Sequence, residues 1–129
     1  MGSRHYSREG KVEVLVAVCS PVLLRLIRHL LEDLPFASVA VHHGRLETVA
    51  RRVAASRPSI VIYGPRVREP KIGDTLHALH QASPGSKVIL VPGVTLSPTS
   101  APRYSVDSCL QPAELVRRLP RTVRRLSGT

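Results

Sequence analysis

Apolar residues gather in short, dense runs separated by stretches with helical spacing. Val12, Val14, Leu15, Val16, Ala17 and Val18 form the first run. Such a nearly unbroken β-branched series suits a central parallel strand covered on both faces. Ser20-Pro21 then opens a helix, with serine as N-cap and proline at the first helical position. Leu23, Leu26, Ile27, Leu30 and Leu31 recur on one side of it, while Arg25, Arg28, Glu32 and Asp33 face outward. Leu34-Pro35 ends it, and Ala37–Val41 reads as a second strand. Arg45–Ser56 reads as a second helix with Leu46, Val49, Val53 and Ala54 inward, and Arg57-Pro58 breaks it. Ser59–Tyr63 is a third strand, Gly64–Lys71 a loop, and Ile72–Ala82 a weaker helix led by Ile72, Leu76 and Leu79. Ser83-Pro-Gly-Ser86 turns the chain into a fourth strand, Lys87–Val91.

The alternation then fails. Pro92–Pro102 is rich in proline, serine and threonine, so an ordinary helix does not fit there. Tyr104–Ser108 reads as a fifth strand interrupted by Asp107. Pro112–Leu126 is a final helix with Leu115, Val116, Leu119, Val123 and Leu126 apolar, and Pro120 inside it should kink or divide it. Strands alternating with helices predict an α/β fold: a five-stranded parallel sheet with helices on both faces and right-handed crossovers. The expected order is the flavodoxin-like 2-1-3-4-5, with the fourth helix reduced or absent. Ligands of that architecture sit at the carboxyl ends of the strands. Attention therefore falls on Val18–Pro21, Gly64–Arg66, Pro92–Gly93 and Ser108–Cys109.

Composition narrows the class. A chain of 129 residues, 43% apolar, fits one domain at 11–129 behind a polar, disordered arm at 1–10. Aromatics are only 3%, so the core must be aliphatic. No apolar run is long enough to span a bilayer, and the polar start lacks the apolar stretch of a signal peptide. Two cysteines, Cys19 and Cys109, suit a reduced, cytoplasmic setting better than a disulfide framework. The formal charge of +10 favours acidic partners, although an arginine-rich coding bias explains it equally well.

The segments Val14–Val22, Arg57–Tyr63, Ser83–Leu90 and Gln111–Leu115 together resemble the receiver domain of bacterial response regulators. The likeness covers about residues 12–119 and is most similar to receivers that precede a helix-turn-helix. It implies where that family's chemistry would fall. The acidic metal-binding pair lands on Val18 and Cys19, the phosphoacceptor aspartate on Gly64 and the switch hydroxyl on Pro92. The phosphoryl-pairing lysine lands near Ser108, within one or two residues. None of these residues can do the work expected there. Mg²⁺ takes hard oxygen ligands, which valine and cysteine do not offer. Glycine has no side chain to phosphorylate, and proline has neither hydroxyl nor N–H. The resemblance therefore implies a pseudo-receiver that is not an enzyme and needs no cofactor. It would act by phosphorylation-independent contact with other proteins in bacterial signalling or regulation.

Other constellations are weaker. His77 and His80 share a helix face and His42-His43 lies at a strand end, but no carboxylate is placed to complete a metal site. Cys19 at a helix start could be a reactive thiol or a small buried hydrophobe. Cys19, Tyr63 and Gly64 could instead wall a small-molecule pocket at the strand ends. Arg117, Arg118, Arg121, Arg124 and Arg125 make the last helix a basic amphipathic stretch. Its readings are a surface for an acidic protein partner, a nucleic-acid contact, a membrane surface or a solvated face. A homodimer is a further option. The scarcity of aromatics argues against single-strand binding.

Overall fold

The computed structural model describes residues 11–43, 45, 48–65, 72–92 and 106–128. The expected arm at 1–10 and nearly all of the Pro92–Pro102 segment lie outside the described residues. Five strands, β1 (Val12–Val18), β2 (Ala37–Val41), β3 (Ile60–Gly64), β4 (Lys87–Leu90) and β5 (Ser108–Cys109), form one parallel sheet in the order β2-β1-β3-β4-β5. The helices are α1 (Pro21–Glu32), α2 (Val49–Ser56), α3 (Ile72–Ala82) and α4 (Leu115–Ser127). This is the flavodoxin-like arrangement that the alternating runs predict.

The two faces of the sheet carry separate cores. Val14, Val16, Ile60, Ile62, Ile89 and Val91 pack against Ile27 and Leu31 of α1 and against Leu115, Leu119 and Val123 of α4. Leu15, Ala17, Val61, Tyr63, Val88 and Leu90 point the other way, to Val49 and Val53 of α2 and Leu76 and Leu79 of α3. The period-two alternation of a strand sorts the residues, and burial of both sets explains why β1 and β3 read as unbroken apolar runs.

Local chemistry sets the helix ends. The Ser20 hydroxyl accepts the Leu23 N–H at 3.3 Å and caps α1. α2 starts later than the sequence pattern suggests. The Thr48 hydroxyl and N–H both bond to the Arg45 carbonyl, at 2.7 and 3.1 Å, just before the helix begins at Val49. Leu46 lies outside the described residues, and Ala54 is exposed rather than inward. Arg57 closes α2 in the left-handed region at φ 45°, donating to Val53.

Two further expectations are corrected. Among the described residues the fifth strand is Ser108–Cys109, with Val106 and Asp107 of the expected Tyr104–Ser108 outside it; Tyr104 and Ser105 lie outside the described residues. Asp107 does not merely interrupt it. Its carboxylate accepts the Val88 N–H at 2.8 Å, while its own N–H reaches the Val88 carbonyl at 3.0 Å. A side chain thus supplies the acceptor where strand backbone would otherwise stand. The final helix begins with a 3₁₀ turn at Pro112–Glu114 and then runs through Pro120 to Ser127 without dividing. Its inner face includes the buried Thr122, whereas the apolar Val116 is 61% exposed.

Candidate functional site

Strand register decides what meets at the carboxyl ends of the sheet. Val18 of β1 stands directly beside Gly64 of β3, and Cys19 extends the pairing by donating its N–H to the Gly64 carbonyl at 2.8 Å. A Cβ placed on Gly64 would lie 2.9 and 3.0 Å from the two γ-carbons of Val18. Real Cβ atoms do not approach that closely, and a valine on a strand has no flexible tip to swing away. The isopropyl group of Val18 therefore fills the space that a side chain on Gly64 would need. Gly64 itself is buried.

The remaining positions divide. Pro92 is buried just beyond β4. Ser108 does not join them: it is level with Ile89, Ile62 and Val16, two residues below Val18 and Gly64. Leu110, whose N–H bonds the Leu90 carbonyl, stands nearer that end and is fully buried. Among the described residues, Cys19, Tyr63 and Gly64 do not come together as the expected wall of a small-molecule pocket. The Tyr63 side chain is 0% exposed within the α2–α3 core, on the face opposite Val18, whereas Cys19 is exposed. No three His, Cys, Asp or Glu side chains among the described residues come together as metal donors. The His42 ring Nε2 lies 3.0 Å from the Arg45 carbonyl and 3.3 Å from the Thr48 hydroxyl, while His43, His77 and His80 are exposed.

The two thiols differ. Cys109 is half-buried, and burial, followed by the nearby Glu114 carboxylate, pushes its thiol above the ordinary range. Thiolate is the reacting species. A maleimide at neutral pH should therefore label Cys19 well before Cys109 in the folded protein, read by mass spectrometry of peptides. Equal labelling rates would contradict this placement.

α4 holds the basic residues. Glu114 accepts the Gln111 N–H at 2.7 Å and the Arg118 guanidinium at 2.7 Å, and these bonds hold its carboxyl below the ordinary range. With that sign, its support for the start of α4 is present above its unfolded pKa and is lost as pH falls through the folded value. Arg124 lies over the Phe36 ring, 5.5 Å from its centre. Arg117, Arg121 and Arg125 are exposed. Arg118, Arg121 and Arg125 line a shallow groove of about 260 Å³ with the buried Thr122 at its base. A second hollow of about 410 Å³, beside α1 and the edge strand β2, mixes Lys11 and Arg28 with Glu32. The α4 groove carries one sign of charge only. No sequence signal separated these two surfaces, because their grouping depends on helix phase and strand order.

No family model matches this chain, and no curated protein matches it. Solved structures do. The RcsB response regulator of Salmonella typhimurium is 14% identical, with a TM-score of 0.77 over 92% of this chain and 61% of that one. This chain thus spans about three-fifths of RcsB. The response regulator domain of Thermotoga maritima CheB is 13% identical, with a TM-score of 0.74 over 92% of this chain and 98% of that one. A protein named for pilus assembly, CpaE of Burkholderia thailandensis, is 24% identical, with a TM-score of 0.64 over 87% of this chain and 98% of that one. At these identities the likeness establishes a receiver-type fold.

Proposed function

We propose that this domain is a receiver scaffold kept for contact rather than for phosphoryl chemistry: a non-catalytic, phosphorylation-independent interaction module in bacterial signal transduction or regulation. The observation that carries the reading is the contact between Val18 and Gly64. The acceptor position lacks its carboxylate, and a neighbouring side chain has also closed over the place where one would stand. Cys19 and Pro92 add no hard oxygen ligand and no hydroxyl beside it. A phosphorylation switch needs a local charge acting on a bistable element, and neither Val18, Cys19, Gly64 nor Pro92 carries a carboxylate to receive that charge.

The partner-binding residues in this reading are Arg117, Arg118, Arg121, Arg124 and Arg125. An alternative gives the same arginines to nucleic acid. The row of exposed guanidinium groups favours it, and RcsB has been solved as dimers bound to DNA. No helix among the described residues is long and apolar enough to cross a membrane.

Incubation with a small acyl phosphate and Mg²⁺ tests the central reading. The intact mass should stay unchanged over hours. A stoichiometric phosphoryl adduct released by hydroxylamine would overturn it, because that lability marks an acyl phosphate on a carboxylate.

A further inference from the structure

The groove on α4 gathers three guanidinium groups around about 260 Å³ of open space, with the buried Thr122 at its base. Arg118, Arg121 and Arg125 stand at i, i+3 and i+7, so one stripe of the helix carries all three. That stripe is about 10 Å long. Arg117 and Arg124 fall further round the helix, the latter over the Phe36 ring. A guanidinium holds its N–H donors in a planar fork. Glu114 accepts from one nitrogen of Arg118 at 2.7 Å and fixes that side chain along the helix. Among the described residues no carboxylate pairs with Arg121 or Arg125. Three positive charges thus line one small space against a single acid at its end.

We propose that this groove binds a compact polyphosphate: the phosphate chain of a nucleoside triphosphate or of inorganic polyphosphate. The proposal goes beyond the interaction-module reading and stands without it. Planar guanidinium forks match pairs of phosphate oxygens. Forks one helical turn apart call for several charges and many acceptor oxygens within a short length, and linked phosphates supply both. A single carboxylate would serve one fork only. A duplex spreads its charge along its whole length and rests on a larger surface, about 600–1,000 Å² even for one small module. Four residues around a shallow groove do not make that surface. The hollow beside β2 offers no such match, because Glu32 stands there with Lys11 and Arg28.

Titration calorimetry on the whole chain at about 0.15 M salt tests this, with tripolyphosphate and ATP as ligands and citrate as a carboxylate comparator. Tripolyphosphate should occupy a single site and bind about tenfold or more tightly than citrate. Arg121→Gln/Arg125→Gln, checked for an unchanged circular dichroism spectrum, should weaken that binding about tenfold or more. Arg25→Gln/Arg51→Gln removes the same charge from exposed positions on α1 and α2. It should weaken binding by less than about threefold, because salt screens distant charges. ATP binding at least as tight as that of tripolyphosphate assigns the site to a nucleotide, and weaker ATP binding assigns it to inorganic polyphosphate; both support the proposal. Parity of citrate and tripolyphosphate overturns it. So does equal weakening by the two glutamine variants, or duplex DNA held by these arginines that tripolyphosphate fails to displace. None of these results alters the phosphorylation test, since that adduct is covalent and this binding is not.

Discussion

Gly64→Asp, which places a carboxylate at the end of β3, should destabilise this protein by about 3 kcal/mol or more. The figure joins overpacking at a rigid neighbour to the cost of a poorly solvated carboxylate. Against a total stability of roughly 5–15 kcal/mol this is a large loss. Gly64→Ala isolates the steric part. Alanine in place of glycine inside a regular element ordinarily stabilises by about 0.5–1 kcal/mol. Here the sign should reverse, because the added Cβ meets Val18 at 2.9 Å. In a Val18→Ala background the penalty of either substitution should shrink, with a coupling of about 0.5–3 kcal/mol in the double-mutant cycle. Urea unfolding of the four proteins measures it. Equal costs in both backgrounds would show that Val18 is not the obstacle. No single change at Gly64 adds a side chain there without first unsettling the sheet.

Pro120→Ala should raise stability by about 1–2 kcal/mol. Proline in a helix interior forfeits one hydrogen bond and crowds the preceding turn, at about 3 kcal/mol when unrelieved. The substitution gives back part of the unfolded chain's freedom, about 0.4–1 kcal/mol in the opposite direction. Pro120 is half-buried, so its ring contributes modest packing to α4. The melting temperature should rise by roughly 3–8 °C, with more ellipticity at the helix band. An unchanged or lower melting temperature would mean that the helix depends on the proline for its fit to the core.

Most of the architecture was legible because parallel strands buried on both faces write themselves as apolar runs. β1, α1, β2 and α3 stand where the pattern put them. β5 was misplaced because only two of its residues make ladder pairs, and an aspartate side chain completes the bonding. The resemblance drew attention to Val18 and Gly64, but their mutual contact arises from strand register, which no run of residues displays. Ser108 was assigned to the strand-end site within a residue or two, and register places it lower. Val116 is apolar like Leu115 beside it, but helical phase sends it outward and brings Thr122 in. The five arginines were plain in the chain; the grouping of Arg118, Arg121 and Arg125 along one groove was not.

The arginines of α4 also crowd one another. Arg117 and Arg121, Arg118 and Arg121, and Arg121 and Arg125 each stand one turn apart, and like charges at that spacing oppose the helix by about 0.2–0.5 kcal/mol per pair. Glu114 offsets this for Arg118 alone. The helix is thus held in its groove by Leu115, Leu119 and Val123 against its own electrostatic pressure. Whatever anion relieves that pressure is linked to folding by mass action. Melting temperature then serves as an occupancy gauge for this surface, rising with each bound acidic ligand and, more weakly, with salt.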